Sequence, residues 1–172
     1  MKKSILIFLV STLIVSVSAS AQNLPYKANY SSNFKVGSHD FTKMVLQLYK
    51  DYEANDFNTH QGWISDTMMV FLPDGTMKRG KDDGVAVFKN ARAGVGSSKF
   101  TFDAFIPLMS VDRKEDWVAV WGTEETADQA NPSNTMKNEF QAIWRINKDK
   151  KVDFIKIFSS KPAHQKHSIA FK

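Results

Sequence analysis

Between residues 41 and 52 the apolar side chains Phe41, Met44, Val45, Leu48 and Tyr52 recur at steps of three and four, with Lys43, Gln47, Lys50 and Asp51 on the other side. That spacing predicts an amphipathic helix capped by Ser38 or Asp40. Asn55-Asp56 interrupts it, and Phe57, His60, Trp63 and Ile64 then suggest a second, short helix capped by Asp56. Thr67 to Leu72 reads as a buried strand that turns at Pro73-Asp74-Gly75-Thr76 into a short return strand, Met77 to Gly80. A third helix is expected from Lys81, with Asp82 and Asp83 favourably placed in its first turn and Gly94 and Gly96 ending it.

The remaining chain alternates with period two. In residues 99 to 112, Phe100, Phe102, Ala104, Ile106 and Leu108 share a parity, with an irregularity expected near Pro107. Residues 117 to 126 set Trp117, Ala119, Trp121 and Thr123 against Val118 and Val120, and residues 136 to 147 and 152 to 159 alternate likewise. Short polar connections make these four strands an antiparallel meander, and helices followed by such strands argue for an α+β fold.

The amino terminus changes the domain boundaries. Lys2 and Lys3 precede an apolar run from Ile5 to Val17, and Ala19-Ser20-Ala21 has the small-x-small pattern of a cleavage site. Residues 1–21 are therefore expected to be a signal peptide, too short in its apolar run to span a bilayer. Export to a periplasm or out of the cell follows, with no membrane contact after cleavage. Residues 22–37 read as a polar leader, 38–162 as one domain and 163–172 as a basic tail.

Composition narrows the chemistry. There is no Cys, which removes disulfides, thiolate metal sites, a Cys nucleophile and a lipid-bearing Cys. The 23 basic side chains exceed the 18 acidic ones, but two of them leave with the signal and the rest are dispersed, which argues against nucleic acid as a partner. The four His include His164 and His167 at ligand spacing in a Lys-rich tail, without a neighbouring carboxylate; no metal site and no cofactor are expected. No Gly-x-Ser-x-Gly elbow supports serine hydrolysis.

The order of elements, carried by Val45-Leu46-Gln47-Leu48-Tyr49, Ala54-Asn55-Asp56-Phe57, Trp63-Ile64-Ser65-Asp66, Asp74-Gly75-Thr76, Arg79-Gly80-Lys81-Asp82 and the strand Phe140 to Ile146, resembles the nuclear transport factor 2-like and SnoaL-like group. The resemblance runs from about residue 38 to 160 and implies a curved antiparallel sheet wrapped around three N-terminal helices, a cone with a pocket at its open end. The group includes ketosteroid isomerases, dehydratases, polyketide cyclases and non-catalytic proteins, so the fold leaves the function open. The isomerases' functional Tyr and second Asp correspond to Leu48 and Ala142, and their first Asp also falls on an apolar position, which argues against that mechanism. A shift of one or two residues would bring in Tyr49 or Asp74.

Six aromatics on presumed inward faces, Trp63, Phe71, Phe102, Trp121, Phe140 and Trp144, are the ligand-binding candidates, against the alternative that they fill a core. His60, Asp74 and Glu124 are the acid–base candidates. Asp74 is also suited to its Pro-Asp-Gly turn, and His60 to a half-buried structural place. The expectation is an exported domain that binds a small apolar molecule without catalysis; a pocket enzyme of dehydratase, isomerase or cyclase type is the alternative. A third reading is a homodimer formed through an outer sheet face of Val118, Val120, Ile143, Ile155 and Ile157.

Overall fold

The computed structural model describes residues 25–160; the expected signal peptide and the basic tail with His164 and His167 lie outside them. Helix α1 spans His39–Ala54, where the Ser38 hydroxyl accepts the Asp40 N–H at 3.2 Å. It ends at Asn55, whose left-handed backbone (φ 58°) turns its N–H back onto the last carbonyls. Helix α2, Lys81–Ala93, starts after Gly80 at φ 90° and carries Asp82 and Asp83 in its first turn and Arg92 in its last. The strands are β1 (Phe34–Val36), β2 (Ile64–Phe71), β3 (Met77–Arg79), β4 (Ser97–Ser110), β5 (Glu115–Ala127), β6 (Thr135–Ile146) and β7 (Val152–Ser159). They form one sheet in the order β1-β4-β5-β6-β7-β2-β3, antiparallel except where β2 lies parallel to β7.

Three expectations change. The second helix is only a single 3-10 turn, Gln61–Trp63, so among the described residues the sheet wraps two helices. Asp56 is occupied otherwise: its carboxylate accepts the N–H groups of Asn58 and Thr59 at 2.9 and 3.1 Å and so closes a local turn. Three residues past the turn's start the chain is already strand, which absorbs Ile64 to Asp66 into β2.

The leader is also more than a tail. β1 pairs with β4, and the Tyr30 ring stands edge-on to Trp117 with centroids 5.6 Å apart. Arg113 lies 4.2 Å above that ring and its Nε donates to the Tyr30 carbonyl at 3.0 Å. The Ser31 hydroxyl donates to Asp112 at 2.5 Å, and the Tyr30 hydroxyl meets Glu115 and Arg145.

Finally, the strand faces differ from the expected ones. Residues directly opposite across an antiparallel pair share a face. Val118, Val120, Ala142, Trp144 and Ile155 are buried in the core beneath the helices, with Ile157 packed against it, so their parity is the concave one. The outer face expected from Val118, Val120, Ile155 and Ile157 is thus the inner face, and only Ile143 of that set lies outside. Both parities of β5 are apolar, which is why alternation alone does not orient it. In β4 the irregularity falls at Asp103, between the pairs Phe102↔Gly122 and Ala104↔Trp121, while Pro107 pairs regularly with Val118. The bulge reverses the parity, so Phe100 and Phe102 face inward but Ile106 and Leu108 outward.

The core is a belt of Val45 from α1, Met68 and Val70 from β2, Val118 and Val120 from β5, Ile146 from β6 and Val152 and Ile155 from β7, each at most 1% exposed. Gly122 sits beside the bulge, where an added Cβ would stand 2.2 Å from the Thr101 carbonyl oxygen. Gly122→Ala is expected to lower unfolding stability by about 1–3 kcal/mol, whereas Gly62→Ala, with nothing within 4 Å of its added Cβ, changes it little. Denaturant melts of the two variants check this.

Candidate functional site

The helices cover the concave face without filling it. Between them and the sheet lies a cavity of about 190 Å³, walled by Leu48, Tyr49 and Tyr52 of α1, Val85 and Phe88 of α2, Phe57 and Ile64, Met68 of β2, Phe100 of β4, Phe140 and Trp144 of β6, and Ile155 and Ile157 of β7. A dry cavity of roughly 150 Å³ already holds benzene, so this one accommodates a molecule of one to two rings.

The cavity has two polar groupings. On the sheet wall, Glu124 and Asn138 face each other across β5 and β6, with Ser159 nearby on β7. The Ser98 hydroxyl donates to Glu124 at 2.7 Å, and the buried Asn138 Oδ1 has no hydrogen-bond partner. A buried acceptor of that kind is costly unless a donor reaches it. On the helix side, His60 Nδ1 lies 2.7 Å from Asp51 Oδ2, and Gln47 Nε2 donates to Asp51 Oδ1 at 2.9 Å. Since a carboxylate only accepts, Nδ1 carries the ring hydrogen. The His60 ring also stacks on Trp63 with centroids 4.1 Å apart.

Tyr49 and Tyr52 put two phenols in the same wall. Burial pushes both well above their ordinary value of 10.0, and the nearby Glu124 charge adds to it. The Trp144 Nε1–H donates to the Tyr49 hydroxyl at 3.3 Å, and that bond works the other way. Both hydroxyls therefore stay protonated at neutral pH.

Of the acid–base candidates, His60 and Glu124 line the cavity and Asp74 does not. Asp74 accepts the Thr76 N–H at 2.8 Å inside its turn, and that bond holds its carboxyl below the usual range. Of the aromatics, Phe140 and Trp144 line the cavity, and Phe102 packs behind them against Tyr49 at 5.0 Å. Trp63 lies outside, in a groove with Asp40, Lys43, Met44, Gln47 and His60. Phe71 and Trp121 are on the convex face, where Phe71 packs on Phe154 at 5.3 Å. Asp51, assigned from periodicity to the solvated side of α1, is buried at 8% exposure because its carboxylate is enclosed by Gln47 and His60. Sequence reasoning also missed Asn138, a polar residue at an inward position of β6, for which strand parity is the only signal. Tyr49 reaches the cavity beside Leu48, as the one-residue shift allowed.

No family model and no curated protein matches the chain. Solved structures do match in shape. An NTF2-like protein of unknown function from Exiguobacterium sp. superposes with a TM-score of 0.56 at 12% identity, over 68% of this chain and 98% of its own. An LEH-like epoxide hydrolase from M. tuberculosis gives 0.55 at 9% identity, over 69% and 80%. The epoxide hydrolase/cyclase-like enzyme SalBIII, of pyran ring formation in the polyether salinomycin, gives 0.57 at 13% identity, over 71% and 92%. The chain therefore has the nuclear transport factor 2-like fold, an α+β cone. Identities this low speak to architecture alone.

The two phenols generate a pH dependence. Their folded-state values lie above the unfolded one, so their contribution is complete below pH 10.0 and is lost as the pH rises past it, where only the unfolded chain ionises freely. Thermal melts from neutral to strongly alkaline pH are expected to show stability falling above about pH 10, with a shallower fall in Tyr52→Phe.

Proposed function

We propose that this is an exported ligand-binding domain whose cavity takes a small, largely apolar, uncharged molecule with one hydrogen-bonding group. The observation that carries the reading is the 190 Å³ space inside an otherwise packed cone, apolar over most of its wall but with Glu124 and the unpartnered Asn138 Oδ1 together on one side. Apolar burial supplies affinity, and a ligand hydroxyl or N–H reaching those acceptors supplies orientation. Among the described residues no Lys or Arg lines the cavity, which disfavours anions. The export half of the proposal rests on the amino-terminal pattern.

2-Naphthol has the matching size and polarity. It is expected to raise the melting temperature of the protein, and Ile157→Trp, which fills the cavity from β7, should weaken its binding at least about tenfold while leaving the fold intact. Equal binding by both proteins would place the ligand elsewhere.

A second reading, homodimerisation, is favoured by the convex face. Ile106 and Phe158 are 42% and 44% exposed there, and by register they flank Ala119, Trp121 and Ile143 in one apolar patch. A second copy of the chain is the proposed occupant. Sedimentation equilibrium is expected to give a dimer for the natural chain and a monomer for Trp121→Arg.

A further inference from the structure

The cavity and the outer groove share one side chain, His60. Its side chain is 24% exposed, whereas its partner Asp51 is 11% exposed. The ring is therefore wet on one side and tied to a buried carboxylate on another. The 2.7 Å bond to Asp51 places the hydrogen on Nδ1 and leaves Nε2 as the acceptor. Gln47 fixes the carboxylate at 2.9 Å, and Trp63, stacked at 4.1 Å, fixes the ring plane. A histidine oriented in this way, with a carboxylate placed to stabilise its charged form, meets the geometric requirements of a general base. Its place at both the groove and the cavity sets it where solvent and a molecule held in the cavity would meet.

We propose that His60 is a catalytic base that activates a water molecule against the carbonyl carbon of a small, uncharged, apolar ester held in the cavity. The inference rests on the ligand-binding reading above. Water gives a proton to His60 Nε2 while its oxygen bonds to the carbonyl carbon, and the C=O π pair moves onto the carbonyl oxygen. Collapse restores the C=O bond and breaks the bond to the alcohol oxygen, which leaves with the proton from the imidazolium. His60 returns neutral, and acid and alcohol are the products. The nucleophile is water, so the chemistry requires neither a Cys, which the chain lacks, nor a serine elbow. The carboxylate product meets Glu124 on the sheet wall and Asp51 on the helix side, and like charge favours its release. Asp51 and Gln47 act through His60 and are positioning residues.

The test is hydrolysis of p-nitrophenyl butyrate by the purified mature protein, with 2-naphthol binding measured on the same samples. Saturable hydrolysis is expected, with His60→Gln lowering kcat at least about 100-fold and leaving KM within about threefold. Asp51→Asn should lower kcat about tenfold, again with little change in KM, a split that a merely structural role would not produce. In the natural protein, 2-naphthol must inhibit the hydrolysis competitively, a requirement that does not depend on any variant folding. Naphthol binding without hydrolysis above that of free imidazole, hydrolysis that naphthol does not inhibit, or wild-type kcat in H60Q each overturns the catalytic proposal alone. Absence of both naphthol and ester binding overturns it together with the ligand-binding reading.

Discussion

The ring of Tyr49 is where helix α1 meets the sheet. Its centroid lies 4.8, 5.0, 5.7 and 5.4 Å from those of Phe100, Phe102, Phe140 and Trp144, on β4 and β6, and its hydroxyl accepts the Trp144 N–H. Edge-on aromatic packing of this kind is directional as well as apolar, so it fixes the height and rotation of α1 above the concave face. With Tyr49 pointing to the sheet, Tyr52 follows one turn on and Asp51 is carried to the flank where His60 waits. The same rotation leaves space between Tyr52, Phe88 and Ile157. The cavity is thus what remains when two helices are laid on a sheet curved for more material than they provide.

The long elements were legible from their periods, whereas the expected second helix is a single 3-10 turn and β1 in the leader was not expected. The stripe Phe41, Met44, Val45, Leu48 and Tyr52 marks α1, and the four long alternations mark β4 to β7. Orientation was not legible where both faces of a strand are apolar. Val118 and Val120 line the core, while Trp117 and Trp121 lie on the convex side, and nothing local distinguishes a sheet's two faces when a second apolar surface exists. The bulge at Asp103 adds a parity change that no turn residue announces. The site was half legible: His60 and Glu124 stand out as polar residues within or beside apolar patterns. Their meaning depends on Asp51 and Asn138, which reach them only through tertiary folding.

The convex face is organised differently. Arg145 holds Asp153 at 2.8 and 3.2 Å and lies over Trp117 and Phe154 at 5.7 and 5.6 Å, with Tyr30 closing over the end of the row. A guanidinium stacked on aromatics and forked to a carboxylate satisfies its charge without leaving the sheet surface. The leader segment therefore covers one end of this face and leaves the patch around Trp121 and Ile143 uncovered. The two sides of one sheet thus differ in kind, the concave side walling the cavity and the convex side carrying an apolar patch.

The parallel pairing of β2 with β7 bears on how the chain folds. Met69 pairs with Phe154, so the β2–β3 hairpin joins the rest of the sheet only through the last strand. The meander β4 to β7 can form from neighbours, but α1 and β2 reach it only through contacts of long sequence separation. The cavity, walled in part by Met68 of β2 and by Ile155 and Ile157 of β7, is therefore complete only when the two ends of the domain have met.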